Sequence, residues 1–316
     1  MSLLPLGGVR VADHSVGIAG AYAAKLLSDS GATVVKIESP YRDPLRRRRA
    51  LYEHLHEHHE QVVIDPTSAL DRSRLDELLS SSGIVLGGSD SSGTRPRTDW
   101  NANLATLNPA AIAASISPFG ASGPWCDGPA NEFTLQAWSG KLATNYGGYA
   151  DRPPVAAGGE TGLWLTGAFV ALGALAFFRL AARSGVGARV DVSILECMIA
   201  VFGQDAIARE LADSRAGGTQ RSGREIPSIH AASDGLVAFA IVTAQHWADF
   251  CVMIEQPAWG EDPELATSAG RRRRGEEVVA AVDAWVGERS TYEVTELAAL
   301  LRIPAGVVAD GATVPT

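Results

Sequence analysis

The sequence predicts an α/β protein with a Rossmann-like, mostly parallel sheet, followed by a second, smaller α/β domain. Three observations carry that prediction. A strand, a glycine turn, a helix and a second strand follow one another within residues 8–38, which is a βαβ unit. Strand signals recur at 62–65, 83–88 and 110–117, the alternation of a doubly wound sheet. After Pro153-Pro154 the pattern changes to a long apolar helix, and a polar, glycine-rich linker at 213–228 separates a further set of elements.

Each element has its own reason. Residues 8–14 (GVRVADH) alternate as a strand. Gly17 to Gly31 reads as a helix, with Ala19, Ala23, Ala24, Leu26 and Leu27 on its apolar face and Gly31 ending it. Residues 32–38 (ATVVKIE) are almost continuously apolar, as a strand buried on both faces requires. A helical stretch spans Leu70–Leu79, between the strands VVID and GIVLGG, and AAIAASIS forms the next strand. A ligand crevice is expected at the carboxyl ends of these strands. Next come a helix over about 163–183, a strand at 188–193 and a helix to about Leu211. The large domain is assigned to 1–215 and the small one to 216–316. The latter holds a strand at 236–242, helices over His246–Ile254, Glu276–Arg289 and Tyr292–Leu301, and a terminal strand in 304–310.

Composition narrows the classes. With 46% hydrophobic and 20% charged residues in 316 positions, the chain is globular and not disordered. A net charge of −9 argues against a nucleic-acid partner. Cys126, Cys197 and Cys251 have neither zinc nor disulfide spacing. The N-terminus has no secretory pattern. Leu163–Ala182 is nearly long enough to span a membrane, but Gly167 and Gly173 interrupt it and Arg179 and Arg183 close it. It reads as a buried core helix, giving a cytoplasmic protein with no membrane partner.

Four histidines fall in HLHEHHE (54–60). His54 and His58 have metal-ligand spacing on a helix, but three glutamates on the same short piece, Glu53, Glu57 and Glu60, favour a solvated polar helix, and no metal is assigned. Of the arginine runs 46–49 and 271–274, the first follows the second strand, where loops meet a ligand's phosphates; the second reads as a solvated face. Gly17 and Gly20 leave the first helix start bare, which suits an anion or tight packing alike. Asp13, Glu38, Glu132 and Glu160 are acids beside turns, each equally readable as a cap or an ion-pair partner. The residues themselves reach as far as a phosphate-bearing ligand.

The order of several motifs goes further. GVRVADHSVGIAGAYAAKLLSDSGATVVKIESPYRDPLR resembles the N-terminal signature of the family III CoA-transferases, which include formyl-CoA transferase, carnitine CoA-transferase and α-methylacyl-CoA racemase. LATLNPAAIAASISPFGASGPW, NEFTLQAWSG, GVGARVDVSILE and RSGREIPSIHAASDGLVAFAIVTAQHW are similar to further family motifs, in the same order, over residues 7–310. The stretch GGETGLW is most similar to the family's long, two-module subgroup.

The resemblance implies a Rossmann-like large domain, a small domain and an interlocked homodimer, with a second subunit as a further option. It implies an acyl-CoA or CoA ligand held as substrate, with no tightly bound cofactor. Gly17, Gly20, Lys36, Arg42, Arg46, Asn131 and Glu132 fall on the stretches that would hold CoA, and Arg95 stands in for a lost basic loop. In the family's transferases a carboxylate attacks the thioester; in its racemases a carboxylate and a histidine exchange the α-proton. Counting back from Gly167 puts Leu163 at the family's acid position, Asn131 at the racemase histidine and Ile18 at the transferase glutamine. Glu160 is the nearest candidate for the missing acid. The chain also stops about where the family sends a segment back to the large domain. Two functions follow: CoA transfer between carboxylic acids or isomerisation of an acyl-CoA, or, because of Leu163, a catalytically silent CoA-binding or partner subunit.

Overall fold

The computed structural model describes residues 4–65, 67–89, 103–140, 156–202 and 226–309. The chain divides into two compact units, residues 1–220 and 221–316.

In the first unit, β1 (Arg10–Asp13), α1 (Ile18–Asp29) and β2 (Thr33–Glu38) form the expected βαβ start. The two strands run parallel, with Asp13 beside Lys36. A 3₁₀ turn at Pro44–Arg47 leads to α2 (Arg49–Leu55), then β3 (Glu60–Val63), α3 (Ala69–Ser80), β4 (Ile84–Gly88), α4 (Leu104–Leu107) and β5 (Ile112–Ser117). Next come α5 (Glu132–Trp138), α6 (Thr161–Ser184), β6 (Ala188–Ser193) and α7 (Ile194–Phe202). Among the described residues these strands make one parallel sheet of order β3-β2-β1-β4-β5-β6. The order reverses between β1 and β4, so the switch-point crevice lies at their carboxyl ends.

Strand alternation divides the core in two. Val11, Val34, Ile84, Leu86, Ile112 and Ala114 pack with α1 and α6. Their neighbours Ala12, Val35, Ile37, Val85 and Ala113 pack with Leu75 and Leu79 of α3. Each such fully buried branched side chain contributes about 1.5–3 kcal/mol. Helices α1 and α6 approach closely because Gly167 has no side chain; a Cβ there would lie 2.6 Å from the Ala19 carbonyl oxygen.

The long apolar helix is only half a core helix, in contrast to the sequence reading. Leu163, Thr166, Gly167, Val170, Ala171 and Ala174 are buried, whereas Phe169, Leu172 and Leu180 on the other side are exposed, as is Phe177 at the border. Among the described residues α6 is the one helix long and apolar enough to cross a membrane. The continuation of α7 expected to Leu211 lies outside the described residues, as does most of the linker.

The second unit holds an antiparallel sheet, β7 (Ile229–Ala231), β8 (Leu236–Phe239) and β9 (Ala305–Val307), in that order. Its helices are α8 (Ala244–Met253), α9 (Pro257–Gly260), α10 (Ser268–Arg273), α11 (Gly275–Gly287) and α12 (Thr291–Leu300). Trp247, Phe250, Val278, Val282 and Val286 form its core. The strand expected to 242 ends at Phe239, and Thr243 already caps α8 by accepting the His246 N–H. The run 271–274 is not a uniformly solvated face. Arg271 is buried, donates to the carbonyl oxygens of Ile226 (2.9 Å), Leu265 (3.0 Å) and Ala266 (3.3 Å), and stacks over Trp247. Three carbonyls and an indole satisfy what composition alone would send to water.

Candidate functional site

The switch point is built from β1 and β2 outward. Asp13 ends β1 fully buried and accepts the Ser15 backbone N–H (2.9 Å) and hydroxyl (2.5 Å). Lys36, one strand over and equally buried, donates to Asp13 Oδ2 (3.2 Å) and the Ser15 carbonyl oxygen (2.6 Å). Asp43 completes the group, 3.8 Å from the Lys36 ammonium, and accepts the Gly17 N–H at 3.2 Å. Burial raises the Asp13 pKa, but the Lys36 charge and the Ser15 bonds outweigh it and hold the carboxyl below its usual range. Gly17 has φ 102°, a conformation that favours glycine. A Cβ on Gly20 would lie 1.9 Å from Ser15 Oγ, so its bareness is filled by protein. Lys36, Gly17 and Gly20 thus shape and lock the turn, and the lysine's charge is enclosed rather than presented.

Outside this lock lies a band of arginines. Glu38, with its side chain 2% exposed, accepts from Arg42 (2.9 Å), from Arg46 (2.9 Å) and from the Tyr52 hydroxyl (3.0 Å). Burial would raise its pKa; the two guanidiniums and the phenol hold it down at about 2. Arg46 also stacks over the Tyr52 ring at 4.3 Å and reaches Gln61. Arg48 is ion-paired with Glu160, and Arg49 with Glu53. Arg47 is exposed and has no carboxylate partner among the described residues.

The histidine stretch is not a solvated helix. α2 ends at Leu55, so His54 and the left-handed His58 share no helical face. No group of three His, Cys, Asp or Glu side chains that could hold a metal occurs among the described residues. His56 and His59 are buried instead, their rings 5.5 Å apart, beneath Tyr52 and near Asp13. Burial lowers both pKa values, that of His59 to about 4.

The third part is the junction of α5 and α6. Asn131 caps α5 by accepting the Thr134 N–H (3.0 Å). Glu132 Oε1 accepts the Gly162 N–H in the first turn of α6 (2.9 Å) and the Gln136 amide (3.0 Å). Gln136, 2% exposed, also donates to the Ala157 carbonyl oxygen (3.0 Å) and accepts its N–H (2.9 Å). Burial, with the neighbouring Glu160 charge adding to it, raises the Glu132 pKa despite these two bonds. Leu163 is in the core, 5% exposed. Glu160 is the cap residue of α6 in the left-handed region (φ 55°), turned to Arg48. Arg95 lies outside the described residues. Sequence reasoning missed Asp43, Tyr52, His56, His59 and Gln136. Two signals were present: the histidine run already held His56 and His59, and Gln136 stands four residues after Glu132 on one helical face.

A doubly wound parallel sheet whose switch point carries this turn network defines the class, a Rossmann-like α/β protein. Within it the chain belongs to the CoA-transferase family III, which it matches over residues 6–315. It is 28% identical to the succinyl-CoA–D-citramalate CoA-transferase of Chloroflexus aurantiacus, over 96% of this chain and 78% of that protein. It is 26% identical to the formyl-CoA:oxalate CoA-transferase of Streptomyces coelicolor, over 98% of this chain and 81% of that one. The fold resembles a CaiB/BaiF family protein from Brucella suis (TM-score 0.81, 20% identity, 98% of this chain and 85% of that one).

Proposed function

We propose that this chain transfers CoA from an acyl-CoA to a second carboxylic acid, in the cytoplasm. The supporting observation is the family match across nearly the whole chain, with relatives named for CoA transfer from succinyl-, formyl- and acetyl-CoA. The arginine band of 42–49 beside the switch point suits the phosphates of CoA, because guanidinium pairs with phosphate bidentately. Arg47 and the exposed edges of Arg42 and Arg46 are its contacts in this reading. Asn131 and Glu132 flank the thioester end.

A second reading has one specific observation in its favour. Leu163 stands at the acid position and is packed into the core, and a leucine neither attacks a thioester nor exchanges a proton. In that reading the chain binds CoA and leaves chemistry to another subunit.

One assay separates the two. Purified protein is mixed with formyl-, acetyl- or succinyl-CoA and with oxalate or citramalate, and CoA esters are followed by chromatography. A new CoA ester supports transfer. Calorimetric binding of CoA with no new ester supports the silent subunit.

A further inference from the structure

We propose that Glu132 supplies the attacking carboxylate that position 163 lacks; the proposal rests on the CoA-transfer reading above. The hydrogen bond from Gly162 fixes Glu132 Oε1 against the backbone next to Leu163, at 2.9 Å. Gln136 holds the same oxygen from the other side and is itself clamped to Ala157. Oε2 has no hydrogen-bond partner among the described residues, and the residue is only half-buried. One oxygen is therefore anchored and the other is available, an arrangement that orients a nucleophile.

Gly162 is bare where the Met198 side chain and this carboxylate meet the backbone. A Cβ on Gly162 would lie 3.1 Å from Glu132 Oε1 and 1.9 Å from Met198 Cε. The other acids around the switch point are committed elsewhere. Asp13 and Asp43 are buried against Lys36, Glu38 is held by two guanidiniums, and Glu160 is paired with Arg48. Burial also raises the Glu132 pKa, consistent with a carboxylate stripped of part of its water.

The steps balance without any further reactant. Glu132 Oε2 attacks the thioester carbonyl carbon, the C–S bond breaks, and CoA leaves as the thiolate, giving an acyl–glutamyl anhydride. The thiolate then attacks the Glu132 carbonyl carbon, releasing the donor acid as its carboxylate and leaving a glutamyl–CoA thioester. The acceptor carboxylate runs the two steps in reverse and regains CoA as its own thioester.

The test is trapping in the wild-type chain. Protein is incubated with each of the three acyl-CoA donors, quenched with hydroxylamine and mapped by peptide mass spectrometry, with CoA exchange assayed in parallel. A donor-dependent hydroxamate on Glu132, and a loss of exchange of about a thousandfold or more in Glu132→Gln, support the proposal. Exchange with the hydroxamate on Glu160 or any other acid overturns the proposal and leaves the CoA-transfer reading standing. CoA binding with neither exchange nor trapping overturns both, as does the absence of CoA binding.

Discussion

Arginines of one run have different duties, and substitution separates them. Arg46 closes two bonds to Glu38, whose side chain is 2% exposed, and covers Tyr52. Arg46→Ala leaves a buried carboxylate with one fewer partner and is expected to lower stability by about 1–3 kcal/mol. Arg47 is exposed, so Arg47→Ala should change stability by no more than about 0.5 kcal/mol. It should instead weaken CoA binding about tenfold, the loss of one charge-assisted contact of about 1.5 kcal/mol. Thermal melts and calorimetry at two salt concentrations check the pair; equal melting losses in the two variants would contradict the division. The acid side of the same cluster titrates predictably. Glu38 has a folded pKa of about 2, below its ordinary 4.5, so its stabilisation is full above pH 4.5 and is lost as pH falls toward 2. Over that window the stability gap between wild type and Glu38→Gln should narrow in urea titrations.

At the scale of elements, α2 and the turn after it carry a second pH dependence of different origin. His59 is buried with its pKa lowered to about 4, so the folded state excludes a proton that the unfolded chain takes up below pH 6.5. Stability should be full above pH 6.5 and fall by about 3 kcal/mol on approaching pH 4. His59→Leu should flatten that limb; an unchanged profile would refute the assignment. The contact of α1 with α6 gives a packing test. Gly167→Ala places a methyl 2.6 Å from the Ala19 carbonyl oxygen and 3.0 Å from Tyr22. Backbone cannot yield as a flexible side chain does, so a loss of about 1–3 kcal/mol in denaturant titration is expected. These elements also show what the sequence discloses. The βαβ start was legible because apolar periodicity and Gly31 mark its elements. That Leu163 falls at the family's acid position was a reading from motif spacing; the structure adds that its side chain is packed in the core. The inward turn of His56 and His59 was not, because the buried Asp13–Lys36 pair beside them is assembled from two strands. The Glu132–Gly162 bond was hidden for the same reason, joining residues 30 apart in the chain. Lys36 and Gly20 were read toward a ligand because local sequence shows charge and bareness, not what fills the space around them.

For the molecule as a whole, the outer side of α6 is a row of exposed large apolar side chains among the described residues. Phe169 is 36% exposed, Leu172 65%, Phe177 41% and Leu180 57%. Phe169, Leu172 and Leu180 lie within about 80° of one another around a 24-residue helix, with Phe177 at the border of the row. Phe178 turns the other way, against Gly83, where a Cβ would lie 2.8 Å from its ring. A row of large apolar side chains in water is unfavourable by about 25 cal/mol for every Å² left uncovered, which favours burial against a partner. The net charge of −9 resists nonspecific clustering, so a closed pairing of identical faces is the expected outcome rather than open aggregation. We predict a homodimer in sedimentation velocity at micromolar concentration. Leu172→Glu puts a charge at the middle of the row without touching the buried side, where Val170, Ala171 and Ala174 pack. That variant should sediment as a monomer while keeping the helical content of the wild type. A wild-type chain that stays monomeric at micromolar concentration, or a Leu172→Glu variant that stays dimeric, would show that this face is not the contact.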